Sequence, residues 1–305
     1  MQLEQFVTLH AHEEELNRQF IDIYGLQDEL TPEVSFEDIT LLKDEVKIVG
    51  GKLEFQPKEI MQQLVSYAVG CMFGRYSLDK EGLILANTGD TLEDYIQQLA
   101  ECGKEPSLIP DEDNIITILD NEWFADDIVA YFNEFMTVCF GEENLRENMN
   151  FLLDALGRKS IREYFVRDFY ADHIQRYQKR PIYWMFSSPQ RSFRVLVYLH
   201  RYTPDTLNEI LNNYLREFIE KLNNQLKLQE NISSTSTGRE QALAEQQVEQ
   251  LRRMIEDCED YEKILYSLAT ERIHLDLDDG VYVNINKLGQ AVEEVKGLND
   301  KAAKA

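Results

Sequence analysis

A chain of 305 residues, 43% hydrophobic and 29% charged, is long enough to bury a substantial core in one large or two ordinary domains. Its net charge of −25 opposes wholesale attraction to nucleic acid or to an anionic membrane, so any contact with a polyanion must be local and oriented. Four cysteines without CxxC pairing argue against a disulfide framework and for a reducing cytoplasm, and no run approaches the roughly 18 apolar residues of a membrane span. The N-terminal MQLEQFVTLHAHEEEL also lacks the basic region and apolar core of a secretion signal, so the expectation is a soluble, cytoplasmic protein without membrane contact.

Phe6, Leu9, Leu16, Phe20, Ile21 and Tyr24 recur at helical spacing up to Gly25, after which Thr31 and Pro32 break the pattern. EVKIVGG within residues 35–55 suggests a brief strand or an irregular connection. Pro57 opens a second helix, 58–76, whose small residues Ala68, Gly70, Cys71 and Gly74 admit close approach of another backbone. Residues 80–114 read as surface with one short helix near 91–102, and 123–140 and 145–156 read as amphipathic helices. Ser160 caps a helix reaching about Gln178. Ile182–Phe186 and Phe193–Leu199 flank Ser187, Ser188, Pro189 and Gln190 as a β-hairpin. Leucines and aromatics three or four residues apart over 206–230 and 239–272, separated by NISSTSTG, predict an antiparallel helical hairpin. Alternation about Asp279 and Gly280 predicts a second β-hairpin over 273–285, and the tail 296–305 is expected to fray. The fold class is therefore mainly α with small β-hairpins (α+β), a helical domain carrying a helical-hairpin arm. Its expected parts are 1–157, 158–205, 206–272 and 273–305.

Charge is unevenly spread. Between Arg158 and Arg201 stand ten Lys or Arg against three acidic residues, a basic island in an acidic chain. Tyr177, Tyr183, Trp184 and Tyr198 interleave with it. Cations neutralise phosphates and aromatics stack on exposed bases, so Arg180, Arg191, Arg194 and Arg201 are candidates for phosphate or base-edge contacts. Arg176 and Lys179 are candidates for backbone positioning, and Tyr183 or Trp184 for stacking or for supporting the hairpin. The same pattern also suits a packed hairpin whose cations pair with the acidic remainder.

Five segments carry a resemblance: EEELNRQFIDIYGLQDEL (13–30), SYAVGCMFGRYSLD (66–79), DNEWFADDIVAYFNEF (120–135), KRPIYWMFSSPQRSFRVLVYLHRYTPDT (179–206) and HLDLDDGVYVN (274–284). Together they resemble the C-terminal part of the PglX proteins, adenine-specific DNA methyltransferases of the bacteriophage exclusion (BREX) systems. The resemblance implies methyl transfer from S-adenosylmethionine to adenine by the whole enzyme. It implies as partners double-stranded DNA, an upstream methyltransferase domain and other phage-defence proteins. This chain has no GxG pair among its glycines and no adjacent prolines, so the glycine-rich turn and the Asp/Asn-Pro-Pro-aromatic motif of that chemistry are missing and it is not expected to act alone. No catalytic, cofactor or metal residue is assigned: Asp276, Asp278 and Asp279 lack EF-hand spacing, and Asp278 with Glu294 and Lys296 matches a nuclease pattern too short to weigh. Two other functions fit the charge pattern, a protein-binding module without DNA contact and an acidic DNA mimic.

Overall fold

A computed structural model describes residues 2–35, 45–49 and 52–298, and the chain divides into two compact units, Met1–Gln63 and Leu64–Ala305. In the first, α1 (Gln2–Tyr24) ends where Gly25 adopts φ +67°, a left-handed geometry suited to glycine, and the Leu26 amide bonds back to the Ile21 carbonyl at 2.9 Å. The chain then returns along α1, with His10 Nε2 2.7 Å from the Val34 carbonyl and Asn17 Nδ2 donating to the Pro32 carbonyl. β1 (Val46–Val49) and β2 (Lys52–Phe55) pair antiparallel, Val46 opposite Phe55. The strand expected in EVKIVGG thus falls on β1, while Gly50 and Gly51 lie outside the described residues.

The second unit opens inside α2 (Pro57–Met72) and continues through α3 (Leu92–Ala100), β3 (Ile115–Thr117), α4 (Ile128–Phe140) and α5 (Leu145–Leu156). Thr91 and Asp94 cap α3 reciprocally, Asp127 caps α4, and Ser160 accepts the Glu163 amide to cap α6 (Ile161–Tyr164). A π turn over Phe165–Phe169 links α6 to α7 (Tyr170–Arg176). β4 (Tyr183–Ser187) and β5 (Arg194–Tyr198) follow, then α8 (Thr206–Glu209), which passes through a second π turn over Ile210–Leu215 into α9 (Arg216–Thr235). α10 (Arg239–Glu271) runs back beside α9, and α11 (Gly280–Leu288) closes the described fold. The architecture is mainly α with small antiparallel β structure, as the periodicities predict.

β5 is the middle strand of a three-stranded antiparallel sheet ordered β3-β5-β4. β3 pairs Ile116 with Leu196, and β4 pairs Met185 with the same residue. Strand alternation divides the side chains between two faces. Trp184, Phe186, Val195 and Val197 join one core cluster with Leu211, Phe218, Leu222, Leu251, Tyr261 and Leu265 of the α8–α10 region. Tyr183 and Tyr198 face Phe73, just beyond α2, with ring centroids 5.3 and 6.4 Å away. The free edge of β4 is occupied as well: the Glu293 amide donates to the Met185 carbonyl at 2.8 Å and Val292 bridges Phe186. Backbone groups at a covered edge are thus satisfied within the chain.

The hairpin expected over 273–285 does not form. Leu277–Asp279 is a 3-10 turn and Gly280–Leu288 is helical. Val281, Val283 and Ile285 fit an alternating strand, but Val281, Ile285 and Leu288 fit a helical face and are the ones that pack on the core. The buried Asn284 decides it locally, its Nδ2 donating to the carbonyls of Asp276 and Gly280, the latter at 3.0 Å. The fraying expected over 296–305 falls largely on 299–305, which lie outside the described residues. No helix among the described residues is long and apolar enough to cross a membrane.

Candidate nucleic-acid interface

The basic island is built mostly into the fold. Arg158 grips Asp168 with two bonds of 2.6 and 2.7 Å, Arg162 grips Asp127 with bonds of 2.8 and 2.9 Å, and Arg167 pairs with Glu163 at 3.1 Å. The Asp127 carboxylate is buried, and the planar Arg162 fork matches its two oxygens. Arg162 thus holds α6 against the start of α4, and the other two pairs brace the segment from Arg158 to Asp168.

Four of the eight candidate contacts are interior and are corrected accordingly. Tyr183 and Trp184 are each 1% exposed, so neither ring can receive a stacked base. Trp184 Nε1 donates to the Pro181 carbonyl at 3.0 Å. Arg194 is buried and donates to the carbonyl of Val166, inside the first π turn, at 2.7 Å. Arg201 is buried and donates to the carbonyls of Asp111 and Glu112, both at 2.8 Å. For Tyr183, Trp184 and Arg194 the physical reason is that both faces of the sheet are covered, whereas the alternation reading left one face wet; Arg201, in the turn just after β5, is enclosed by the segments after α2 and before β3. WMF and VLVY are uninterrupted apolar runs, the sequence mark of a strand buried on both sides.

The other four remain on the surface. Arg176, Lys179 and Arg180 are exposed at the C-terminal end of α7, where the negative end of the helix dipole also favours cations. Gln178 and Lys179 adopt φ +49° and +64° in succession, a tight exit before Pro181. Lys179 Nζ approaches the Gly297 carbonyl at 3.4 Å. Arg191 stands at the tip of the β4–β5 turn, 63% exposed, and pairs with Glu293 at 2.9 Å.

Two residues outside the island complete this surface. Gly74 ends the α2 region at φ +77°, and Arg75 and Tyr76 follow it, both half-buried. The Arg75 guanidinium lies 5.6 Å from the Tyr76 ring centroid and donates to Tyr198 Oη at 3.0 Å. The charges of Arg75 and Arg176 both act on Tyr177 and on buried His173, so the exits of α2 and α7 meet in one cationic, tyrosine-rich patch. Burial, reinforced by those two arginines, pushes His173 down to about 3, leaving the ring neutral at pH 7. The sequence signal for this partner was the GRY triplet closing an apolar helix. It lies about a hundred residues from the island, and the charge count did not reach it.

Behind Arg201 sits a buried acidic group. Asp111 accepts the Ile115 amide at 2.9 Å and the Tyr131 hydroxyl at 2.9 Å, while Tyr214 Oη donates to Asp113 at 2.7 Å and to Asp126 at 3.1 Å. Burial, with the neighbouring Asp113 charge, raises the Asp111 carboxyl well above the ordinary range. A carboxyl raised in the folded state contributes stability at low pH that is lost as pH rises through its folded value. Asp111→Asn removes that titration. The variant should therefore gain stability relative to wild type as pH rises from about 4 to about 7, by about 1–3 kcal/mol, in thermal or urea unfolding. A wild-type-minus-variant difference independent of pH would disprove the assignment. Among the described residues no group of three His, Cys, Asp or Glu is arranged to hold a metal ion.

No family model matches the chain. Two curated proteins do. Adenine-specific methyltransferase PglX of Lacticaseibacillus casei (strain Zhang) is 38% identical over 295 residues, 92% of this chain and 22% of that protein. The chain is a relative of one portion of the PglX-type adenine-specific methyltransferases. Adenine-specific methyltransferase BrxX of Escherichia coli O9:H4 (strain HS) is 33% identical over 328 residues, 99% of this chain and 26% of that protein. The chain thus spans about a quarter of the length of the PglX-type relatives it matches, consistent with a C-terminal portion.

Proposed function

We propose that this chain is the DNA-specificity and assembly portion of a PglX-like, S-adenosylmethionine-dependent adenine-specific DNA methyltransferase in phage defence. The observation that carries it is the run of exposed cations at the end of α7, Arg176, Lys179 and Arg180, beside Arg75, in a chain of net charge −25. An acidic body repels DNA except where this patch faces it, which orients the duplex. Phosphate contacts then fix register while an upstream catalytic region flips the adenine. Arg191 joins them on release from Glu293. The residues present do not fit S-adenosylmethionine: β3, β5 and β4 are antiparallel, and no two glycines of the chain stand at GxG spacing. No step of methyl transfer is therefore assigned to this chain.

The test is duplex-DNA binding against salt for wild type and for Arg176→Ala/Lys179→Ala/Arg180→Ala. Each lost phosphate contact should flatten the log-affinity versus log-salt slope by about 0.9, so the triple variant should lose up to roughly 2.7 of slope. Its thermal stability should change little, because all three side chains are exposed. An unchanged slope in the folded variant overturns this face as the DNA contact.

A second reading, a protein-binding module, draws on α1. Leu16, Phe20, Ile23 and Tyr24 are each more than half exposed and recur on one helical face. DNA-independent co-purification with other defence proteins that is abolished by Phe20→Glu would favour it.

A further inference from the structure

Four buried side-chain polar atoms without a hydrogen-bond partner belong to one cluster: Arg75 Nε, His173 Nδ1, Tyr183 Oη and His200 Nδ1. The cluster is continuous. The rings of His173 and Tyr183 lie 5.0 Å apart, those of Tyr183 and Tyr198 5.3 Å, and those of Tyr198 and His200 4.9 Å. The charge of Arg75 acts on both histidines. Folded proteins satisfy nearly all such groups, so a concentration of them in one place calls for an explanation.

Three of the four are donors. The Tyr183 amide donates to His173 Nε2 at 3.2 Å, so in the neutral ring the proton sits on Nδ1 and that atom is a donor. Arg75 Nε can only donate, and Tyr183 Oη has a hydrogen to give. His173 is 2% and Tyr183 1% exposed. His173 Nδ1, Tyr183 Oη and the Nε of the Arg75 guanidinium lack an acceptor, and the positive potential of Arg75 and Arg176 disfavours any cation there.

Two half-buried rings cover the donors. Tyr76 and Tyr177 are in hydrogen-bond contact with each other. Tyr76 packs against Gly70, where an added Cβ would collide with its ring and come within 3.4 Å of Tyr183 Oη. Glycine at this helical position therefore lets the Tyr76 ring lie over the Tyr183 hydroxyl.

We infer that Arg75, His173 and Tyr183 form a receptor for a phosphate-class anion behind Tyr76 and Tyr177, opened when those two rings turn aside. The anion is either a backbone phosphate of DNA or free phosphate, and the first source rests on the DNA-binding reading above. Arg75 supplies the charge, and the two neutral donors supply geometry that an exposed lysine lacks.

The decisive variant is Tyr183→Phe, which removes one oxygen, compared with Arg75→Gln and wild type in the full chain. Unfolding midpoints are measured in inorganic phosphate and in chloride at equal ionic strength, and duplex-DNA affinity is measured alongside. Wild type should melt higher in phosphate. Tyr183→Phe should hold its midpoint in chloride, since an unpaired buried hydroxyl is gone, yet lose most of the phosphate increment. A parallel fall in DNA affinity of roughly tenfold identifies the backbone phosphate as the source. An increment lost with DNA affinity unchanged assigns the site to free phosphate. If wild type fails to bind DNA yet shows the increment, the DNA reading falls and the receptor stands. An equal increment in wild type and both variants overturns the receptor and leaves the α7 test untouched.

Discussion

Replacing Asp257 by alanine is expected to destabilise the fold by about 3–5 kcal/mol. Asp257 lies on α10 and is 2% exposed, yet it accepts three hydrogen bonds from the β4–β5 turn. These come from Ser188 Oγ at 2.6 Å, the Gln190 amide at 2.9 Å and the Ser192 amide at 3.1 Å. Ser188 Oγ in turn accepts the Phe193 amide at 3.0 Å, so the carboxylate organises the whole turn. Arg191 within it sits at φ +64°, a left-handed conformation that the surrounding bonds must hold. Truncation leaves donors unpaired and frees the turn from the helical arm. Asp257→Asn retains one acceptor oxygen and should cost about half as much. Urea unfolding measures the loss, and hydrogen exchange at Gln190 and Ser192 should accelerate before global unfolding. A cost below about 1 kcal/mol for the alanine variant would show that water replaces the carboxylate and that the turn is self-supporting.

Arg201→Ala should cost a similar amount, about 3–5 kcal/mol, without altering the salt dependence of DNA binding in the folded fraction. The guanidinium lies among the carbonyls of Phe73, Asp111 and Glu112, beside the carboxylates of Asp111 and Asp113. It therefore ties the segment after α2 to the start of β3. Removing it leaves carbonyls unpaired and a buried acidic group without its nearest cation. Arg201→Lys should recover little, because a single ammonium cannot reproduce the fork. Arg180→Ala is the contrast: it should leave stability within about 0.5 kcal/mol of wild type and act on the salt slope alone. A stable Arg201→Ala variant with weakened DNA binding would show instead that the guanidinium contacts DNA.

These two residues show where sequence reading reached and where it stopped. Arg201 and Arg180 are twenty-one positions apart in one basic island, and composition treats them alike. Charge counting finds the island but cannot say which cations point inward, because that depends on what covers each face of the sheet. Trp184 and Tyr183 illustrate the same gap, since alternation assigns them to opposite faces without revealing that both faces are buried. Asp257 was invisible for a different reason: it is one acidic residue among many on α10, and the amides it accepts lie more than sixty residues away. Arg75 escaped because its companions on α7 are about a hundred residues distant.

Local periodicity, caps and turn residues, acting between neighbours, determined the helices, the Ser160 cap, the β4–β5 hairpin and the helical arm from sequence alone. The five quoted segments also sufficed to point to the PglX-type relatives. Tertiary structure alone decided that Gly280–Leu288 is helical, because an eight-residue apolar pattern suits either period until packing selects one. It alone separated structural arginines from surface ones and joined Arg75 to α7. Burial and hydrogen-bond partnership are relations between distant segments, and no window of sequence contains both sides of them.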